Sequence, residues 1–419
     1  LAVIRISGSR TAEIAKALCP TVGFTSGWRA SLTSLHDPAG GILDRGIVIP
    51  YPAARSYTGE DMLEATVHGS PYLVEAVIEA CESAGARRAQ PGEFTRRAVA
   101  NGKLDLVQAE AVHDLVAAET SWQLRNARQQ LSGSLSEAFA DLRQELVRLL
   151  ASLEASLDYE GQGVEVAGDE VAARLAVCHD KVVRLVSTAV VGTRIRDGAG
   201  VVILGRPNAG KSTLFNLLCG TERAIVSPHP GTTRDVIEAE LDVGGVRMVL
   251  RDTAGLREQG DVVETEGHRR AVGAAADSDI VILMWAADGA EGDRPPEAPA
   301  GVVVIPVRSK IDLAPDAATD DGWLPASCHT GQGIDELRAR LGAAVVGEIP
   351  ELGGAVAIAA RHRKALEQAA RELDGCDPND LEIAAERVRR ALVAVDELVG
   401  EVSAEDVLDA IYSEFCIGK

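Results

Sequence analysis

The sequence has no uninterrupted apolar run of about 18 residues, so no simple membrane-spanning helix is expected. It also has no secretory leader pattern. Its seven cysteines form no C-x-x-C pair, which argues against a disulfide scaffold and reads as reduced thiols of a cytoplasmic protein. Basic charge is in deficit, with 42 Lys and Arg against 63 Asp and Glu and a formal net charge of -21. Such a surface repels a phosphate backbone within a Debye length. A nucleic-acid partner would have to be met through a local basic patch or a second protein. The chain lacks an initiator Met and opens on the strand-like Leu1-Ala2-Val3-Ile4-Arg5-Ile6, so a short preceding segment is expected.

What is present divides along the chain. With 419 residues and roughly 150 per domain, two or three domains are expected. Residues 1–103 mix short apolar strands, such as 47–50 and 64–67, with turns and a helical stretch at 71–84, the pattern of an α+β domain. From 104 to 195 helical periodicity dominates. Leucines in 135–157 recur near i, i+3, i+4 and i+7, as an amphipathic helix requires. Strands then alternate with helices over 196–347, which implies a parallel sheet covered by helices. Helical pattern returns over 348–419, through 361–373 and 381–398. The economical topology inserts the α/β domain into a helical-bundle domain, giving a multidomain chain.

The α/β segment carries phosphate chemistry. Gly205-Arg-Pro-Asn208-Ala209-Gly210-Lys211-Ser212 fits G-x4-G-K-[ST], between the apolar run 200–205 and a helical stretch starting at Thr213. Glycines let backbone N–H groups wrap phosphates, and a helix N-terminus adds a favourable dipole. Lys211 is expected on the β- and γ-phosphates and Ser212 on Mg²⁺. Asp252-Thr253-Ala254-Gly255 follows apolar 248–250, placing Asp252 near the Mg²⁺ shell and the Gly255 N–H near the γ-phosphate. Upstream, Gly231-Thr232-Thr233 lies in a turn-rich loop, with Thr233 the candidate second hydroxyl on Mg²⁺. Ser309-Lys310-Ile311-Asp312 follows the strand-like 302–307 and stands where GTPases carry N-K-x-D. The Asp carboxylate accepts from guanine N1–H and the exocyclic amine, a donor pair adenine lacks. Ser309 replaces the usual Asn, which weakens one contact and keeps the discriminating Asp312. Ser327 and Cys328 match the loop whose backbone meets the guanine oxygen. Leu256 stands where many GTPases hold a glutamine, and an apolar side chain cannot orient water.

Taken with five further stretches, the chain resembles the tRNA modification GTPase family MnmE (also TrmE) over nearly its whole length. These are Val3-Ile-Arg5-Ile-Ser-Gly8, Ser56-Tyr-Thr-Gly-Glu-Asp61, Pro91-Gly-Glu-Phe-Thr-Arg96, Asn101-Gly-Lys103-Leu-Asp-Leu106 followed by Gln108-Ala-Glu-Ala111, and Cys416-Ile-Gly-Lys419. The resemblance implies an enzyme acting with a flavin-dependent partner, in a heterotetramer or larger complex. Its target would be carbon 5 of wobble uridine 34 in tRNA, receiving an aminomethyl or carboxymethylaminomethyl group. It implies a tetrahydrofolate-binding N-terminal domain that also mediates homodimerisation, taking 5-formyltetrahydrofolate or a relative. The matching folate positions are Arg5, Glu64, Lys103 and Lys419. By themselves Glu64 and Lys103 read as surface charges. Cys416 matches a family cysteine of redox or chemical role, or is an ordinary thiol.

The resemblance further implies potassium-activated hydrolysis through G-domain dimerisation. Asn208, Ser227, His229 and Thr232 match the potassium site, where the cation would do an arginine's electrostatic work. Glu264 matches the catalytic glutamate that positions water, beside Lys211 and Thr233; by itself it reads as a polar loop residue. A competing reading is a regulatory or assembly GTPase switch without modification chemistry. The chain has no C-terminal basic or G-x-x-G module for ribosome assembly and no basic amphipathic helix for a membrane. A folate-binding scaffold with a degenerate nucleotide site is opposed by the intact Lys211, Ser212, Asp252 and Asp312.

Overall fold

Strand β1 (Ala2–Ser7) places Ile6 in a core and leaves Val3 outside, the two-residue alternation of a half-covered sheet. The computed structural model describes residues 1–24, 28–158, 168–221, 223–224, 237–252, 273–288, 295, 297–314, 322–347, 360–378 and 380–400. The chain divides into two units: Leu1–His113 with Leu131–Ala140 and Val395–Lys419, and Asp114–Gln130 with Asp141–Ala394.

In the first unit, β1, β2 (Ser31–His36), β3 (Ile42–Tyr51) and β4 (Met62–Val67) form an antiparallel sheet ordered β1-β4-β3-β2. Helices α1 (Thr11–Leu18) and α2 (Pro71–Ser83) cover one face. Pro71 begins α2, where its missing N–H would be unpaired anyway. Ile6, Leu35, Val48, Leu63 and Val67 pack there with Ile14, Leu18 and Val77. On the sheet's other face stand Arg5 and Glu64, directly opposite each other in the β1–β4 register. Helix α3 (Glu93–Ala100) follows.

Helices α4 (Leu106–Ala117), α5 (Ser121–Leu131), α6 (Ser134–Asp158) and α7 (Gly168–Asp197) come next. In α6 the residues Leu135, Phe139, Leu142, Leu146, Leu149 and Leu153 are all fully buried, an apolar stripe stepping by three and four. Helix α7 packs along the helix Ala360–Asp374, where His179 reaches Asp374 at 2.6 Å.

The second unit holds a seven-stranded mixed sheet ordered β11-β10-β9-β5-β8-β7-β6. Its strands are β5 (Ala199–Gly205), β6 (Arg223–Ala224), β7 (Ile237–Val243), β8 (Val246–Asp252), β9 (Ile280–Ala286), β10 (Val303–Ser309) and β11 (Leu324–Pro325). β5 runs parallel to β8 and β9, β10 parallel to β9 and β11, while β6–β7 and β7–β8 are antiparallel. Central β5 is apolar on both faces: Val201 and Ile203 join one core with α8 (Lys211–Thr221) and helix Ile334–Val346, while Val202 and Leu204 join another with Ala275 and Val281. The β7–β8 turn rests on α5, where the Trp122 N–H donates to the Gly245 carbonyl at 3.2 Å. Arg247 pairs with Glu240 at 2.6 Å and Glu119 at 3.3 Å. The strands and helices expected from the sequence fall within these elements and the later helix Leu381–Val399 to about a residue, Val302 preceding β10 by one.

Candidate functional site

Sheet topology gathers the residues expected to bind nucleotide at one edge, the carboxyl ends of parallel strands, where open α/β sheets place ligands. Asn208, Ala209 and Gly210 lie in the turn from β5 to α8, and Lys211, Ser212 and Thr213 open α8. Asp252 ends β8 and Ser309 ends β10. Lys310 and Asp312 follow, and Ser327 and Cys328 follow β11.

The turn has the backbone such a loop needs. Asn208 sits at φ +65° and Gly210 at +92°, left-handed conformations of the kind from which anion-binding turns are built. A Cβ on Gly205 would lie 2.6 Å from the Met284 carbonyl oxygen of β9, so this position is confined to glycine by close backbone approach. Lys211 Nζ donates to the Gly205 and Arg206 carbonyls, both at 2.9 Å, and so lies folded over the turn. Ser212 is exposed at the start of α8.

The segment expected to read the base is tied to this loop. The buried Ser309 hydroxyl donates to the Ala209 carbonyl at 2.7 Å. Lys310, at φ +59°, places Nζ 3.0 Å from Asp288 in the turn after β9. Asp312 is exposed, and a hydrogen bond from the Ser327 hydroxyl holds its carboxyl below its ordinary value, favouring the acceptor form. Ser327 is fully buried and accepts the His329 and Thr330 N–H groups at 3.2 Å. Burial pushes the Cys328 thiol up, and Asp312 adds to that. Ser227, His229, Thr232, Thr233, Thr253, Ala254, Gly255, Leu256, Glu264, Cys416 and Lys419 lie outside the described residues.

Among the described residues no group of three or more His, Cys, Asp or Glu could hold a metal. The exposed Ser212 hydroxyl at a phosphate-loop helix is a hard oxygen donor that fits Mg²⁺, an ion that keeps waters and phosphate oxygens as its other ligands.

The first unit carries a second polar constellation. Arg5 Nη2 lies 2.7 Å from Glu64 Oε1, and the Tyr51 hydroxyl donates to Glu64 Oε2 at 3.2 Å. The Arg5 guanidinium lies over the Phe94 and Tyr57 rings, 5.5 and 5.9 Å from their centroids. Lys103 Nζ donates to the Ala54 carbonyl at 2.8 Å. A carboxylate, a guanidinium and flanking aromatic rings suit a flat heterocycle with amide-like edges, so the residues fit a folate. Tyr51 lies outside the sequence motifs, Tyr57 and Phe94 lie inside two of them without an assigned role, and no motif shows that Glu93 joins Arg87 and Arg97. A cavity of about 790 Å³ opens beside β1 between α2 and α3, with Arg5, Ile6, Glu60, Phe94 and Arg97 in its wall.

These features define a P-loop nucleotide-binding domain of the GTPase kind, joined in one chain to an α+β domain and to helices. Residues 1–103 match the family model "GTP-binding protein TrmE N-terminus", and residues 106–416 match "MnmE helical domain". The tRNA modification GTPase MnmE of Hyphomonas neptunium is 43% identical over 431 residues, covering all of this chain and 96% of the relative. That of Azorhizobium caulinodans is 43% identical over 436 residues, with the same coverage of both chains. Among solved structures, the G domain of the T. maritima FeoB iron transporter aligns with 35% of this chain and 98% of its own, at 24% identity and a TM-score of 0.26. The chain belongs to the MnmE family of tRNA modification GTPases. It is a GTP-binding GTPase, and among the described residues no helix is long and apolar enough to cross a membrane.

Proposed function

We propose that the chain hydrolyses Mg²⁺-bound GTP in the cytoplasm and couples this to modification of carbon 5 of the wobble uridine of tRNA. Its partners are a flavin-dependent protein and a second copy of itself. The observation that carries the nucleotide half is the convergence of Lys211, the Ser309–Ala209 tie and Asp312 at one sheet edge. Lys211 binds the β- and γ-phosphates, Ser212 and Thr233 hold Mg²⁺, and Asp312 reads the guanine. Asn208, Ser227, His229 and Thr232 hold K⁺, and Glu264 positions the attacking water. The bound cations supply positive charge beside the phosphoryl group as negative charge develops there.

Arg5, Glu64, Lys103 and Lys419 hold a tetrahydrofolate, which supplies the one-carbon unit. The Arg5–Glu64–Tyr51 constellation supports this reading. Cys416 lies three residues from Lys419 and is a candidate for the chemical step. The domains are 1–103 for folate and dimerisation, 104–195 and 348–419 for the helical domain, and 196–347 for the GTPase.

The test compares GTP turnover in potassium and sodium buffers, for the wild type and Glu264→Ala, alongside binding of 5-formyltetrahydrofolate. Potassium stimulation lost in the variant, with folate bound, is the expected result. Equal rates in both salts contradict the cation assignments, and absent folate binding contradicts the modification reading in favour of a GTPase switch.

A further inference from the structure

Ser309 is 3% exposed, and its hydroxyl carries a single proton. That proton is committed to the Ala209 carbonyl at 2.7 Å, across 100 residues of sequence, so the bond joins the base-reading turn directly to the phosphate loop. Two further polar side chains of this region are turned to partners within the protein. Lys310 Nζ faces Asp288 at 3.0 Å, and the Ser327 hydroxyl oxygen accepts the His329 and Thr330 N–H groups, both at 3.2 Å. Guanine offers acceptors at N7 and O6 and donors at N1 and the exocyclic amine. Asp312 answers the donors. A primary amide at position 309 would carry two N–H groups on a longer arm, one for Ala209 and one for the base. A serine has one, and it is used inside the protein.

We infer that Ser309 is a positioning residue that locks the base-reading turn to the phosphate loop, and that the site therefore selects guanine by its N1 and amino edge while accepting purine nucleotides altered at N7. The nucleotide class is a guanine ribonucleotide or its 7-deaza analogue. The inference rests on the GTP reading above and deepens it. It separates two roles that one residue could otherwise combine: holding the turn, which Ser309 does, and touching N7, which it does not.

Binding of GDP and 7-deaza-GDP to the full chain tests this, by competition against a fluorescent GDP analogue, for wild type, Ser309→Asn and Ser309→Ala. Wild type binds the two nucleotides within about twofold of each other, since no hydrogen bond from this residue is at stake. Ser309→Asn gains about three- to tenfold for GDP but not for 7-deaza-GDP, the worth of one added hydrogen bond. Ser309→Ala loses about three- to tenfold for both and leaves their ratio unchanged, because the Ala209 carbonyl loses its partner. That equal loss separates positioning from base contact, and thermal melting checks that each variant is folded. A wild-type preference for GDP of about tenfold or more overturns the inference even if neither variant folds. Failure of both nucleotides to displace the probe overturns the GTP reading itself, an outcome distinct from preference between them.

Discussion

Arg5 and Glu64 face each other across β1 and β4, with Arg5 Nε at 2.9 Å and Nη2 at 2.7 Å from Glu64 Oε1. The pair is partly exposed, so it adds little to stability, on the order of 1 kcal/mol or less. Its geometry suits recognition better. Tyr51 holds the second carboxylate oxygen, and the rings of Tyr57 and Phe94 flank the guanidinium.

Glu64→Gln is expected to melt within a few degrees of wild type and to bind 5-formyltetrahydrofolate about ten- to hundredfold more weakly, the worth of a charge-assisted hydrogen bond. Calorimetric titration measures the affinity. Unchanged affinity would remove Glu64 from the folate site.

Gly205→Ala is expected to destabilise the chain by about 1–3 kcal/mol and to weaken GTP binding, because the new Cβ would lie 2.6 Å from the Met284 carbonyl. Gly220→Ala in α8 meets nothing within 4 Å and is expected to be neutral or to stabilise by about 0.5–1 kcal/mol. Urea unfolding of both variants decides. Equal effects would contradict the close-approach account.

Glu93 accepts from Arg87, the Gln90 N–H and Arg97, and these donors, Arg87 first, hold its carboxyl down at about 2 against an ordinary 4.5. A depressed folded pKa stabilises above the unfolded value, and the stabilisation is lost as pH falls from about 4.5 toward 2. Glu93→Gln is expected to cost about 2 kcal/mol at pH 7, with the gap to wild type narrowing by pH 3. Urea midpoints at the two pH values test the sign. A gap that widens in acid would contradict it.

The phosphate loop was legible because eight consecutive residues, Gly205 to Ser212, carry its whole chemistry. The helix α6 was legible because the burial of Leu135, Leu142, Leu149 and their neighbours follows a fixed spacing. What sequence reading missed comes from contacts between distant segments. Ser309 reads as a weakened base contact in isolation, and as a tie to the phosphate loop once Ala209 lies beside it. Tyr51 meets Glu64 through the β3–β4 register, where the two stand near each other on one sheet face, and no motif encodes that pairing. Glu93 stands in a family stretch that says nothing of its pairing, because its partner Arg87 precedes the helix and turns back to it. The proposed catalytic Glu264 and folate-binding Lys419 lie outside the described residues, so their placement rests on the family resemblance.

The most direct test of the account is hydrolysis of GTP and XTP by wild type and Asp312→Asn. Xanthine carries a carbonyl where guanine carries its amine, so an amide at 312 complements xanthine and mispairs with guanine. Wild type is expected to prefer GTP by about a hundredfold or more, and the variant to reverse the preference. A variant that still turns over GTP in preference to XTP would contradict the assignment of Asp312, and with it the placement of the nucleotide at this sheet edge.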